Sequence, residues 1–206
     1  MLFAVCVVLF MGTRIANADS LSIAGGLDIS GTAGSQVFTF TNPFVTGSNP
    51  ADIPIIGTLA TLSSATLVSA TGTQFMPSSG TFSVNPACDA VGCISGDVDW
   101  LSIVYGGTAG AFSMRLDLSN IGGTPGTDAA INDFLSTGQG SGVLTLNFTA
   151  GDFTSVSQLL GYGTPLTGGS FSASLTTPEP ATLGLLGVGL LGLGLIGLSR
   201  RKRSEA

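Results

Sequence analysis

Apolar residues recur at every second position through much of this chain. In Phe112-Ser113-Met114-Arg115-Leu116-Asp117-Leu118 the even positions are apolar and the odd ones polar. Side chains alternate between the two faces of a strand, so this stretch predicts a half-buried strand with Arg115 and Asp117 facing water as same-side neighbours. Gln36 to Thr41 sets Phe38 and Phe40 on one face, Thr81 to Val84 sets Phe82 and Val84, and Ser170 to Leu175 sets Phe171, Ala173 and Leu175. Val98 to Tyr105 and Val143 to Phe148 are more continuously apolar or β-branched, as expected of central strands. Leu59 to Thr71, rich in Ser, Thr and Ala, also favours strand. Thr127 to Leu135 has helical character: Asp128 can cap it, and Ile131, Phe134 and Leu135 would bury one face.

Clusters of Gly, Asn, Pro and Ser punctuate these runs at Thr46–Pro50, Pro77–Gly80, Gly106–Gly110, Gly122–Gly126 and Gly138–Gly142, where turns are expected. Many short strands with such punctuation predict an all-β domain, an antiparallel sandwich of the jelly-roll or immunoglobulin-like kind, over residues 19–177. No fixed-period repeat is present, which argues against a solenoid.

The two ends of the chain follow a different pattern. Leu2 to Met11 is an unbroken apolar run, too short to span a bilayer but fitting the core of a signal peptide. Ala16-Asn17-Ala18 follows with small residues at the two positions that a signal peptidase tests. Residues 1–18 are therefore expected to be removed, leaving Asp19 first. No Lys or Arg precedes the run, which leaves open a start codon upstream of Met1. At the other end, Ala181 to Leu198 reads ATLGLLGVGLLGLGLIGL, without a charge or a strongly polar side chain. As a helix it would be about 27 Å long, just enough to cross a hydrocarbon core. Its glycines weaken a helix in water, but in lipid the backbone must satisfy its own hydrogen bonds and helix stays favoured. Arg200, Arg201, Lys202 and Arg203 follow at once, and the positive-inside rule keeps such a cluster cytoplasmic with the body on the outer side.

Pro178-Glu179-Pro180, the Leu/Gly-rich span and the terminal Arg/Lys cluster stand in an order that resembles the PEP-CTERM sorting signal, a region also labelled the ice-binding-protein C-terminal domain. The resemblance covers Thr177 to Arg203 and includes the typical wording Pro-Ala-Thr-Leu-Gly-Leu-Leu-Gly at 180–187. It implies a Gram-negative-type host that makes exopolysaccharide. It also implies an exosortase, a membrane enzyme that would cut near Pro178-Glu179-Pro180 and release the body or attach it at the cell surface. The two prolines resist helix and hold Glu179 extended just outside the membrane. On this reading residues 178–206 form a sorting and anchoring segment. The partners are signal peptidase, the exosortase and the inner membrane, with exopolysaccharide as a further one.

Charge narrows the functions open to the body. Between Asp19 and Thr177 there are ten Asp, no Glu and one basic residue, Arg115, a formal charge of −9. Such a body should repel nucleic acid and anionic headgroups. The chain has no His, so Ser-His-Asp and Cys-His catalysis are excluded. Its one Lys lies in the terminal cluster, so the body has no Ser-Lys or Schiff-base chemistry. There is also no phosphate-cradling loop. Carboxylate chemistry remains: Asp97 and Asp99, two apart, would share one face of a strand. With Asp89 they are weak candidates for calcium, and as a pair for glycoside hydrolysis, but sugar subsites usually use several aromatics. The body has one Trp, Trp100, expected in the core, and two Tyr. Cys88 and Cys93 are expected to form a disulfide in an oxidising compartment, with free thiols or a metal as the other readings. Closing so short a loop would contribute about 1–2 kcal/mol. Zinc would need more ligands than a chain without His provides. No cofactor is implied.

Two functions follow as expectations. The first is an exported cell-envelope or extracellular-matrix protein with a non-catalytic structural or interaction domain. The second is a surface module that binds polysaccharide, calcium or ice. Ice would require a flat regular Thr array, and Thr39/Thr41 and Thr71/Thr73 are isolated pairs.

Overall fold

A computed structural model describes residues 19–49, 55–70, 73–76, 78–148 and 153–178. The expected signal segment with Ala16 and Ala18, most of the sorting motif (Glu179, Pro180), the apolar span 181–198 and the basic cluster 200–203 lie outside these residues. Among the described residues no helix is long and apolar enough to cross a membrane.

The body is mostly antiparallel β. Ten strands form one hydrogen-bonded sheet: β1 (Ser20–Thr32), β2 (Ser35–Asn49), β3 (Ala60–Leu62), β4 (Ala65–Ala70), β5 (Thr73–Phe75), β6 (Ser79–Val84), β7 (Cys93–Tyr105), β8 (Ala111–Thr124), β9 (Gly140–Asn147) and β10 (Leu166–Thr176). Their order is β3-β6-β7-β8-β9-β10-β1-β2-β4-β5. β3 and β4 stand far apart in this order, yet only Ser63 and Ser64 separate them in the chain. The run 60–70 thus pairs with β6 through its first part and with β2 through its second. The sheet curls until it meets itself. β5 and β6 continue one another along the same run, with Val68 opposite Phe75 and Leu62 opposite Phe82. Along the seam Phe44 bridges Leu59, Val45 N–H donates to Thr58 O at 3.0 Å, and Gly57 N–H donates to Val45 O at 2.8 Å.

Counting β3–β4 and β5–β6 as single interrupted strands, each strand pairs with its chain neighbours, and β10 pairs with β1. This neighbour-to-neighbour order differs from the jelly-roll or immunoglobulin-like sandwich expected from the pattern. Those folds pass the chain between two sheets, whereas here hydrogen bonds run through all ten strands. Alternation along a strand carries no information on that choice.

The inner face is filled by the residues the alternation selects. Phe112, Met114, Leu116 and Leu118 of β8 are buried beside Leu144 and Leu146 of β9 and Phe171, Ala173 and Leu175 of β10. Phe40 stacks on Trp100 with ring centres 5.3 Å apart and meets Phe171 edge-on at 5.0 Å. Trp100 is thus a core residue, 3% exposed. The continuously apolar stretches are not buried on both faces: Leu101 and Val104 of β7 and Val143 of β9 are about half exposed, because nothing among the described residues covers the outer side of these strands.

Among the described residues two helices pack on this sheet. α1 (Ala129–Thr137) is the helix expected at Thr127–Leu135, with Asp128 as its N-cap accepting from Ile131 N–H at 2.8 Å. It buries Ala130, Ile131 and Phe134. α2 (Val156–Gly161) was not singled out from the sequence, although Ser155 caps it and Val156, Leu159 and Leu160 bury one face at helical i, i+3, i+4 spacing. Leu160 O accepts from Gly34 N–H at 2.8 Å in the β1–β2 turn, and Phe153 O from Gly110 N–H at 2.9 Å in the β7–β8 turn, so the α2 segment joins those two turns.

Candidate functional site

Where β3, β6, β7 and β8 run past Thr61, Ser83, Ser95 and Gly122, their outward residues are small and mostly polar. The register sets Thr61 beside Ser83, Ser83 beside Ser95, and Ser95 beside Gly122. One step along, Thr81 stands beside Asp97, and Asp97 beside Ser119. All of these but Ser119 line an open groove of about 470 Å³. Thr61 and Ser83 share a hydroxyl–hydroxyl bond of 2.7 Å.

A bulge shapes the groove. Between the pairs Ser95–Gly122 and Asp97–Ser119, β7 has one residue and β8 has two. The surplus turns β8 locally and lifts a side chain out of the ladder. Asn120 sits there at φ 51°, a left-handed conformation that Asn tolerates better than most residues. Its Nδ2 donates to Asp97 Oδ2 at 2.7 Å, fixing the carboxylate at the groove wall. The floor stays open because Gly122 has no neighbour within 4 Å of where a Cβ would stand. Gly96, by contrast, lies against Ser119 O, 2.7 Å from its would-be Cβ.

The three calcium candidates are not brought together. Asp89 belongs to the loop before β7, where its Oδ1 accepts from Asn85 Nδ2 at 2.8 Å and from Val91 N–H at 3.1 Å. Asp97 lines the groove. Asp99 faces Asp117 across the β7–β8 ladder, a like-charged pair. Among the described residues no group of three or more His, Cys, Asp or Glu has the arrangement a metal ion needs.

Cys88 and Cys93 are joined by a disulfide with Cα atoms 4.8 Å apart. Asn85 is buried under the loop, and its Nδ2 also donates to Gly92 O at 2.7 Å. The loop docks on the start of α1: Thr127 N–H donates to Ala90 O at 3.1 Å and Asp128 N–H to Val91 O at 3.3 Å.

The ends of the body lie side by side. Ser20 of β1 pairs with Thr176 of β10, and Thr177 N–H donates to Asp19 O at 3.0 Å. Thr177 Oγ1 lies 3.4 Å from both Asp19 O and Asp133 Oδ2 of α1. Burial, and then the negative charges of Asp133 and Asp128, push the Asp19 carboxyl above the ordinary aspartate value. The compact unit runs from Asp19 to Pro178, so expected cleavage residue Asp19 and the first residue of the sorting motif are its two ends.

The sequence singled out Asp97 but missed Thr61, Ser83, Ser95, Asn120 and Gly122 as its neighbours. Each is a polar or Gly position on the outer side of a strand, and that alternation was the available signal; the register that gathers them spans four strands. Comparison with known protein families, curated proteins and solved structures gave no match.

Proposed function

We propose that this chain is an exported cell-envelope protein, sorted through its C-terminal PEP-CTERM-like segment by an exosortase-type enzyme, whose body is a non-catalytic structural or interaction domain. The observation that carries the reading is the position of the two ends. β1 begins and β10 ends as adjacent antiparallel partners, so the chain enters and leaves the body at one point. The unit boundaries at Asp19 and Pro178 fit removal of both flanks without loss of a strand. The Cys88–Cys93 disulfide suits an oxidising compartment.

In finer detail, we read the body as this one curled sheet around its core, followed by one membrane helix over about 181–198. Signal peptidase acts first; the span then holds the chain in the inner membrane with Arg200, Arg201, Lys202 and Arg203 in the cytoplasm. The exosortase releases or attaches the body at the cell surface. Catalysis has little support, since the groove pairs Asp97 with Asn120 instead of a second carboxylate.

Mass spectrometry of the protein from a host with an exosortase tests this. Asp19 should be the first residue, and the residues after about Pro180 should be gone. Surface-located protein that keeps Arg200–Arg203 would overturn the reading, as would a C-terminal reporter active only in the periplasm.

A further inference from the structure

From the groove on β3, β6, β7 and β8 we infer a binding site for a neutral, polyhydroxylated ligand, that is, a segment of uncharged glycan. The inference rests on the reading of the body as a non-catalytic interaction domain and names the ligand class of one surface.

The lining selects among ligand classes. No cation lines the groove, and the body around it is strongly acidic, so an anionic ligand is repelled. A hard cation needs six or more oxygens, whereas the groove offers one carboxylate with one oxygen already bound by Asn120. An added peptide strand needs unpaired backbone, but β6, β7 and β8 are paired on both sides. The one aromatic side chain in the lining, Phe82, is 2% exposed and offers no ring for an apolar ligand to pack on. A polyol meets what is there. Thr61, Thr81, Ser83 and Ser95 each donate and accept, and Asp97 accepts from paired hydroxyls. The bulge fixes the carboxylate beforehand, so little ordering remains to be done on binding.

Gly122 supplies the decisive test, since a side chain there enters the groove and nothing else. The full chain, purified in a detergent without a sugar headgroup, is titrated with neutral di- to hexasaccharides by calorimetry. Wild type should bind at least one series, and both Gly122→Val and Asp97→Asn should weaken it at least about tenfold, a loss of 1.4 kcal/mol. Ser141→Ala, on β9 outside the groove, should leave binding unchanged. Melting temperatures measured alongside separate a filled groove from an unfolded chain, and the near-isosteric Asp97→Asn keeps the test valid if Gly122→Val fails to fold. No binding at millimolar saccharide, wild-type binding by Gly122→Val with a native melting curve, or binding confined to acidic saccharides would each overturn the inference. A correctly trimmed chain that binds no saccharide refutes the site alone; binding by a chain that is never trimmed refutes only the sorting.

Discussion

Gly126 is where a single methyl group should cost most. It follows β8, crosses the disulfide loop and leads into α1. A Cβ built on it would stand 2.1 Å from Val91 C and 2.2 Å from Gly92 N, both backbone atoms that cannot swing aside. Gly126→Ala therefore has to part the loop from the chain entering α1. Overpacking of this kind costs about 1–3 kcal/mol. Four hydrogen bonds are at stake: Thr127 and Asp128 donate across the contact to Ala90 O and Val91 O, and Asn132 holds Gly126 itself, at N–H (3.1 Å) and at O (2.8 Å). At about 0.5–1.5 kcal/mol each, loss of half of them adds roughly 2 kcal/mol. The expected total is about 3–5 kcal/mol, or a fall in Tm of roughly 6–20 °C for a body of this size. Thermal unfolding followed by circular dichroism measures it directly. Gly163→Ala, with open space around its Cβ, is the control and should stay within about 0.5 kcal/mol of wild type. If the two variants melt together, the loop does not dock on the start of α1 and the reasoning fails.

Three other outcomes follow from the same structure. Replacing both Cys88 and Cys93 by Ser should cost about 2 kcal/mol, and reductant should lower the Tm of wild type but not of the variant. The raised Asp19 carboxyl means that the folded chain holds this proton more tightly than the unfolded one. Its contribution is complete below the ordinary value of 3.8 and is lost as pH rises through the folded value; Asp19→Asn should raise Tm at neutral pH and change nothing near pH 3, as paired melting curves would reveal. On β9, Leu144→Ala should cost about 2–5 kcal/mol and Val143→Ser about 0.5 or less in denaturant unfolding, because Leu144 is fully buried and Val143 is 46% exposed.

Local pattern and non-local consequence divide cleanly in this chain. The alternation at 112–118 foretold which side chains of β8 face inward, and Asp128 foretold the start of α1, because strand faces and helix caps are set by residues close in sequence. The disulfide was legible for the same reason. Glycine was misread. Gly140 and Gly142 looked like turn residues but lie within β9, where an added Cβ would meet Phe134 or Leu175 at 2.7 Å. They are small because distant side chains need the room, which no local reading can see. Gly122 and Gly123 likewise belong to β8. Apolar continuity misled at Leu101, Val104 and Val143, since a run of such residues does not say whether a second layer covers them. The groove was the least legible feature. It depends on the register of segments from Thr61 to Gly122 and on one surplus residue in β8, and both are fixed by the whole sheet.

Sheet edges are where copies of a protein tend to stick: a row of unpaired N–H and C=O groups recruits a foreign strand and can seed fibrils. Here the last strand pairs with the first, and the run 60–70 joins what would otherwise be the two open margins. Little template is left for a neighbour to extend. Such a body tolerates crowding, and many copies can stand at high density without zipping together through their main chains. Any assembly they form has to be made by side chains, and so can be specific.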